Sequence, residues 1–130
     1  MYIDASALAK LVLDEPESSA LRASWAAAAG RPVSCEIVVA ELMRAVRRAS
    51  GGHPLAERQA SEVLAPVTLV PLTRSLIDSS ASLAPLELRT LDAVHLACAL
   101  SLGDLDAVMT YDRRLAEAAA AAGLATVSPA

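Results

Sequence analysis

Two polar side chains, a carboxylate and an imidazole, interrupt an otherwise apolar stretch of this sequence. Both groups can bind a metal ion or transfer a proton. Residues 88–100 are apolar almost all the way round a helix of 3.6 residues per turn, a pattern typical of a buried helix. Asp92 and His95 lie one turn apart and form its polar strip. An ionised carboxylate in apolar surroundings costs several kcal/mol unless a cation meets it. Asp92 therefore predicts a partner, and a metal ion is one candidate.

The same stretch also allows a structural interpretation of Asp92. Thr90 is a good N-cap residue, and an acidic side chain in the first helical turn gains ~0.3–1 kcal/mol from the backbone dipole. Asp92 and His95 could instead hydrogen-bond to each other. The predicted apolar stripes of this helix are Leu91, Val94, Cys98 and Leu102 on one side and Ala93, Leu96 and Leu100 on the other.

Two further acidic residues follow predicted strands directly. Asp4 comes after the apolar start of the chain, and Asp112 stands just beyond a strand that ends at Thr110. Ligands of open α/β sheets bind beyond the carboxyl ends of the strands, so both carboxylates belong at one edge, where Asp92 can reach them. Carboxylates held together against their repulsion favour a hard cation, Mg²⁺ or Mn²⁺.

Glu41 is a fourth candidate that periodicity does not favour. The predicted core stripe of its helix is Val39, Leu42, Met43 and Val46, and Glu41 lies opposite that stripe, in line with Arg44 and Arg48. This spacing favours a solvated face with a Glu41–Arg44 pair, which would contribute ~0.2–0.5 kcal/mol. A position on the wall of a cleft is the alternative, because a cleft wall is not core either.

The elements that must position these residues alternate between strands and helices. Strands are predicted near residues 1–3, 32–34, 67–70, 107–110 and 124–127, and helices near residues 5–12, 17–29, 36–48, 55–64, 74–84, 88–100 and 113–122. Such alternation predicts βα units and a parallel sheet of about five strands covered on both faces. We expect one three-layer α/β/α domain over residues 1–130.

Composition excludes several classes of protein. The net charge of −4 argues against binding nucleic acid through overall charge, which leaves local basic patches. Cys35 and Cys98 lie in apolar surroundings and are predicted free buried thiols, and the spacing of the cysteines and histidines does not favour a structural zinc site. Neither a leader segment nor a run of 18 apolar residues is present, so we expect a cytoplasmic protein without a membrane anchor.

Four short motifs, taken together, resemble the PIN-domain ribonucleases, and VapC-type toxins of bacterial toxin–antitoxin pairs most of all. The motifs run in the family's order over nearly the whole chain: Asp4-Ala5-Ser6, Ala40-Glu41-Leu42, Leu91-Asp92-Ala93-Val94-His95 and Thr110-Tyr111-Asp112. Leu115, where many relatives have Phe, is a departure that concerns packing rather than chemistry.

The resemblance implies a Rossmann-like PIN fold and an acidic pocket that binds one or two Mg²⁺ or Mn²⁺ ions. It identifies Asp4, Glu41, Asp92 and Asp112 as the catalytic carboxylates, with Asp4, Asp92 and Asp112 as metal ligands and Glu41 as a ligand or a residue that orients water. Ser6 and Thr110 match polar positions that support the pocket. It also implies an RNA substrate, an antitoxin partner and a homodimer. His95 is interpreted as a packing and hydrogen-bonding residue outside the catalytic set.

An acidic pocket repels the RNA backbone, so cations must offset its charge. Arginines cluster on the predicted helix of Glu41 and directly after Asp112: Arg44, Arg47, Arg48, Arg113 and Arg114. Together they would form a basic rim that contacts the phosphates of RNA. Ordinary surface charge is the alternative explanation.

Two rival functions remain open from the sequence. A phosphatase of the haloacid-dehalogenase type also places an Asp after its first strand, but it resembles a pattern with a second Asp two residues later, where this chain has Ser6. A non-catalytic partner-binding module on the same fold is the other rival, and the carboxylates at Asp4, Asp92 and Asp112 argue against it.

Overall fold

Five short strands alternate with seven helices in the computed structural model, which describes residues 1–130. The strands are β1 (Tyr2–Ile3), β2 (Val33–Cys35), β3 (Thr68–Val70), β4 (Val108–Met109) and β5 (Thr126–Val127). The helices are α1 (Ala5–Val12), α2 (Ser18–Ala27), α3 (Val38–Ser50), α4 (Pro54–Leu64), α5 (Arg74–Ala81), α6 (Thr90–Ser101) and α7 (Arg113–Ala121). The predicted order of elements is confirmed.

All strand pairs are parallel, and the strand order is β3-β2-β1-β4-β5. The first strand of the chain is therefore the central one, and Tyr2 is in register with both Val33 and Val108. The chain leaves β1 toward β2 on one side and reaches β4 on the other. This reversal opens a crevice at the carboxyl ends of β1 and β4, where ligands of such sheets bind.

Alternation along the central strands divides the core into two layers. Tyr2 and Val108 belong to the buried cluster that includes residues of α5, α6 and α7. Ile3 and Met109 belong to the cluster that includes residues of α1, α2, α3 and α4. Successive side chains of a strand point to opposite faces, so two residues of β1 suffice to anchor both helical layers. The three-layer α/β/α prediction is confirmed.

Helix α6 is buried along its middle but not at its ends. Residues 93–99 are all buried, whereas Leu91 is 45% exposed and Leu100 39% exposed. The prediction that both leucines lie in buried stripes is wrong, because the flanking helices cover only the middle turns of α6. Arg89, rather than Thr90, occupies the N-cap position, and no side chain caps the helix there.

Helix α3 buries a stripe that starts one residue earlier than periodicity predicted. Val38, Leu42 and Val46 are fully buried, whereas Val39 is 37% exposed. With the stripe starting at Val38, Glu41 lies near the buried side of the helix rather than opposite it, since residues three apart lie on nearly the same face.

Cys35 and Cys98 are buried free thiols, as predicted. No helix is both long enough and apolar enough to cross a membrane.

The burial pattern of α6 generates a stability prediction with a matched control in the same helix. Leu96 is 1% exposed and Leu100 39% exposed. Leu96→Ala should lower the free energy of unfolding by about 2–5 kcal/mol, because it leaves a cavity in the core. Leu100→Ala should cost less than about 1 kcal/mol. Urea denaturation of both variants measures the difference, and equal losses would contradict this placement of α6.

Candidate functional site

Four carboxylates from four separate parts of the chain line one cavity at the carboxyl edge of the sheet. Asp4 follows β1, Glu41 lies on α3, Asp92 on the first turn of α6, and Asp112 follows β4. The cavity measures about 360 Å³, and its other lining residues are Ala5, Ser6, Arg89, Thr90, Leu91 and His95. The structure thus brings together all four acidic residues that the sequence singled out.

Asp4 is the most buried of the four carboxylates, and hydrogen bonds hold both of its oxygens. Ser6 Oγ donates to Asp4 Oδ1 at 2.7 Å, and Thr110 Oγ1 donates to Asp4 Oδ2 at 2.6 Å. The backbone N–H of Ala7 also donates to Oδ1, so Asp4 is the N-cap of α1. Burial raises the pKa of the Asp4 carboxyl, and these hydrogen bonds oppose that rise.

Ser6 and Thr110 also join the ends of β1 and β4. Ser6 Oγ accepts from the backbone N–H of Tyr111 at 2.9 Å, and Thr110 Oγ1 accepts from that of Asp112 at 3.0 Å. Each hydroxyl therefore accepts from the loop after β4 while it donates to Asp4. The supporting role predicted for both residues agrees with this geometry, since each fixes Asp4 relative to Asp112.

Arg89 bridges Asp92 and Asp112, a contact that the sequence reasoning missed. Its Nε lies 3.2 Å from Asp92 Oδ2, and its Nη2 lies 2.7 Å from Asp112 Oδ2. The Asp112 carboxylate also caps α7 by accepting from two backbone N–H groups. The i,i+3 spacing of Arg89 and Asp92 was the available signal. Arg89 supplies the positive charge that two neighbouring carboxylates require.

Asp92 lies in the first turn of α6, which agrees with the helix-dipole alternative. Asp92 pairs with Arg89 rather than with His95. Burial raises the pKa of Asp92, the negative charge of Asp112 raises it further, and Arg89 opposes both effects.

Glu41 contacts His95 rather than Arg44. His95 Nε2 lies 2.5 Å from Glu41 Oε1, and the imidazole is 2% exposed. The solvated-face interpretation of Glu41 is therefore wrong, because the early start of the buried stripe on α3 turns this side chain toward α6. Glu41 is held at the cavity by a residue 54 positions away, which spacing within α3 could not indicate.

The donor chemistry of the cavity fits a hard divalent cation. Its carboxylates offer oxygen ligands, which Mg²⁺ and Mn²⁺ prefer, and the Arg89 guanidinium already occupies a position of positive charge between two of them. No three Asp, Glu, His or Cys side chains surround a common point at metal-ligand spacing. Ser6 and Thr110 donate to the oxygens of Asp4, and Arg89 pairs with Asp92 and Asp112.

The five predicted RNA-contacting arginines occupy different surroundings. Arg44 and Arg48 line a groove of about 470 Å³ between α1 and α3, which shares Glu41 and Leu91 with the acidic cavity. The other three lie elsewhere: Arg47 pairs with Glu57 of α4, Arg113 pairs with Glu117, and Arg114 lines a larger, mainly apolar groove beside α7. Only Arg44 and Arg48 adjoin the site.

Comparison with known proteins agrees with this architecture. The family model described as PIN domain matches residues 1–121. Ribonuclease VapC46 of Mycobacterium tuberculosis (strain ATCC 25618 / H37Rv) is 42% identical over 130 residues, which cover 99% of this chain and 97% of the relative. Ribonuclease VapC47 of Mycobacterium tuberculosis (strain CDC 1551 / Oshkosh) is 37% identical over 133 residues, covering 99% and 96%.

A solved structure shares the fold. The crystal structure of Mycobacterium tuberculosis VapC20, described as a toxin that cleaves the sarcin–ricin loop, superposes with a TM-score of 0.79. The two chains are 21% identical and 98% of each is covered, so this likeness supports the fold alone.

The raised pKa of Asp92 predicts how the stability of the metal-free protein depends on pH. A carboxyl whose pKa is higher in the folded than in the unfolded state opposes folding once it ionises, so stability falls as pH rises from the ordinary value through the raised one. Asp92→Asn should therefore melt at or above the parent at neutral pH in chelator. This increase in melting temperature over the parent should vanish at pH values below the ordinary pKa of an Asp side chain.

The exposed Asp104 provides the control, since Asp104→Asn removes the same charge without releasing a buried group. Thermal melts at several pH values compare the three proteins. A lower melting temperature for Asp92→Asn at neutral pH would mean that its pair with Arg89 outweighs burial and the repulsion from Asp112.

Proposed function

Because this chain belongs to the PIN-domain family, we propose that it is an Mg²⁺- or Mn²⁺-dependent endoribonuclease that hydrolyses phosphodiester bonds of RNA. The observation that carries the proposal is the convergence of Asp4, Glu41, Asp92 and Asp112 on one cavity at the carboxyl edge of the sheet. The names of the full-length relatives, both ribonucleases, support the same reaction.

Asp4, Asp92 and Asp112 are the residues that would hold the metal, as one or two ions. When bound, the metal would activate water and stabilise the charge that develops on the phosphate and the leaving oxygen. Arg89 would have to release Asp92 or Asp112 for these carboxylates to serve as ligands. The Arg89 side chain is 60% exposed, so it could turn into solvent.

The remaining groups of the cavity have separate tasks in this proposal. Ser6 and Thr110 favour the ionised form of Asp4 and fix its carboxylate, because both donate to it. Glu41 directs its free oxygen to the cavity and orients the attacking water or accepts its proton. The phosphate is attacked by water, so the reaction requires no Ser or Cys nucleophile.

The groove beside the cavity offers a path for the RNA backbone. Arg44 and Arg48 stand on α3 at one and two turns from Glu41, and neither forms an ion pair. Their charges would offset the repulsion between phosphates and the four carboxylates. The RNA backbone would therefore run along α3, from Arg48 and Arg44 to the cavity with the four carboxylates.

We further propose that the protein is the toxin of a toxin–antitoxin pair and acts as a homodimer. The named relatives of VapC type support the first part. The antitoxin would place a C-terminal helix in an apolar groove and a basic side chain against the four carboxylates, two of which Arg89 already meets. Inhibition of RNA cleavage by the product of a neighbouring gene tests the pairing, and sedimentation equilibrium tests the dimer.

Substitution of the carboxylates tests the catalytic assignment. Asp4→Asn, Asp92→Asn and Asp112→Asn should each reduce metal-dependent RNA cleavage by at least about a hundredfold, the upper end of the range for residues that only support metal ligands. Glu41→Gln should have a similar effect. Asp104→Asn is the exposed control. A fully active Asp92→Asn protein would refute the assignment, and a parent that binds partner protein but cleaves no RNA would favour the non-catalytic module.

The salt dependence of RNA binding tests the groove. Arg44→Ala and Arg48→Ala should each reduce the slope of log K against log salt by about 0.7, the value for one phosphate contact of a single strand. Arg31→Ala removes an exposed charge next to the amino end of β2, on the opposite edge of the sheet, and should leave the slope unchanged. Binding isotherms with a catalytically inactive Asp112→Asn protein avoid cleavage during the measurement. If the slopes of the Arg44→Ala and Arg48→Ala proteins equal that of the parent, the RNA does not bind in this groove.

A further inference from the structure

A buried chain of hydrogen bonds runs from the middle of the sheet to Glu41. The backbone N–H of Cys35 lies 3.1 Å from Tyr2 Oη, Tyr2 Oη lies 2.6 Å from His95 Nδ1, and His95 Nε2 lies 2.5 Å from Glu41 Oε1. Tyr2 is 0% exposed and His95 2% exposed. The hydrolysis proposed above uses neither side chain, although both are buried polar groups beside the site.

The direction of each hydrogen bond follows from the available protons. The N–H of Cys35 can only donate, so Tyr2 Oη accepts there and has one proton left to donate. Burial raises the pKa of the Tyr2 phenol, which therefore keeps that proton. His95 Nδ1 lies 2.6 Å from Tyr2 Oη and is positioned to accept that proton, whereas Ser34 Oγ forms no hydrogen bond.

A single protonation state of His95 satisfies the whole chain. If Nδ1 accepts from Tyr2, the one proton of the neutral imidazole is on Nε2, and Nε2 donates to Glu41 Oε1. A cationic imidazole would donate from Nδ1 as well, and the Tyr2 hydroxyl proton would then lose the acceptor that it meets at 2.6 Å. Leaving a buried donor without a partner costs more than one hydrogen bond contributes.

The surroundings hold this chain rigidly. The rings of Tyr2 and His95 pack edge to face, with centroids 5.8 Å apart and an interplanar angle of 74°. Tyr2 belongs to β1, the central strand, whose neighbours on both sides are in register with it. Asp4 directly follows the same strand, so one strand fixes Asp4 through its backbone and Glu41 through the Tyr2 hydroxyl.

We propose that Tyr2 and His95 are positioning residues that hold Glu41 in its working orientation, with Oε1 engaged by His95 and Oε2 left for the cavity. The inference rests on the proposed function, because it assigns Glu41 a task in RNA hydrolysis. Outer-shell groups that orient metal ligands typically contribute about 10–100-fold to activity, and we expect an effect of that size for the orientation of Glu41.

The first experiment examines the hydrogen-bond chain without RNA. Nitrogen NMR of the full-length protein, with His95→Gln used to assign the signals, identifies the protonated ring nitrogen. The proposal requires the Nε2–H tautomer of His95. An Nδ1–H tautomer or a cationic ring at neutral pH would overturn it. This readout holds whether or not the protein cleaves RNA, whereas an inactive parent would contradict only the proposed function.

The second experiment is a double-mutant cycle with Glu41. His95→Leu should reduce kcat for RNA cleavage by about 10–100-fold with little change in KM, and His95→Gln, which keeps an N–H donor, should retain more activity. In a Glu41→Gln background, His95→Leu should cause little further loss, because His95 acts through Glu41. Additive losses would mean that His95 has a separate, merely structural role.

Tyr2→Phe keeps the cycle informative if His95→Leu fails to fold. It removes one oxygen atom and preserves the packing of the ring. We expect a smaller, severalfold loss of kcat that also disappears in the Glu41→Gln background. Unchanged kcat in a Tyr2→Phe protein that melts as the parent does would overturn the part assigned to Tyr2.

Discussion

Repulsion between carboxylates that the fold forces together is the constraint on which this site depends. Asp4, Asp92 and Asp112 reach one edge of the sheet because parallel strands end there and α6 begins there. Burial and like charge raise the pKa of Asp92, and burial raises that of Asp4. Two kinds of contact reduce this repulsion. Hydroxyl groups donate to Asp4, and the Arg89 guanidinium lies between Asp92 and Asp112. In the proposed function, a divalent cation held by these carboxylates would offset the same repulsion more strongly.

Arg89 offsets part of the negative charge of the acidic cavity. Because its side chain is more than half exposed, its ion pairs stabilise less than buried pairs would, and they exchange readily for a better counterion. In the proposed function, Arg89 would be free to turn toward the substrate once a metal holds the carboxylates. The positive charge of Arg89 stays at the site in both states, whereas Arg44 and Arg48 act only along the adjoining groove.

The central strand links stability to the site. The two residues of β1 each anchor one helical layer, Asp4 directly follows the strand, and the Tyr2 hydroxyl contacts His95. Substitutions at Tyr2 or Ile3 therefore affect the core and the carboxylates together. The buried polar chain through His95 satisfies its hydrogen bonds internally, which keeps a polar path inside an apolar layer without a large cost.

The sequence by itself determined the elements, their parallel arrangement and three of the four carboxylates. Hydrophobic periodicity and turn residues are local signals, and Asp4 and Asp112 were found because strand ends are local too. Asp92 was found from its contrast with an apolar helix. Glu41 depended on the family resemblance, because its spacing within α3 favoured solvent.

Only the tertiary structure decided which groups meet. Arg89 reaches across 23 residues to Asp112, His95 across 54 to Glu41, and Tyr2 across 93 to His95. Periodicity identifies the face of an element on which a residue lies, but not the element that will pack against that face. The start of the buried stripe at Val38, and with it the direction of Glu41, was set by how α3 packs against its neighbours. Contacts between distant elements follow from that packing, and no local pattern in the sequence encodes them.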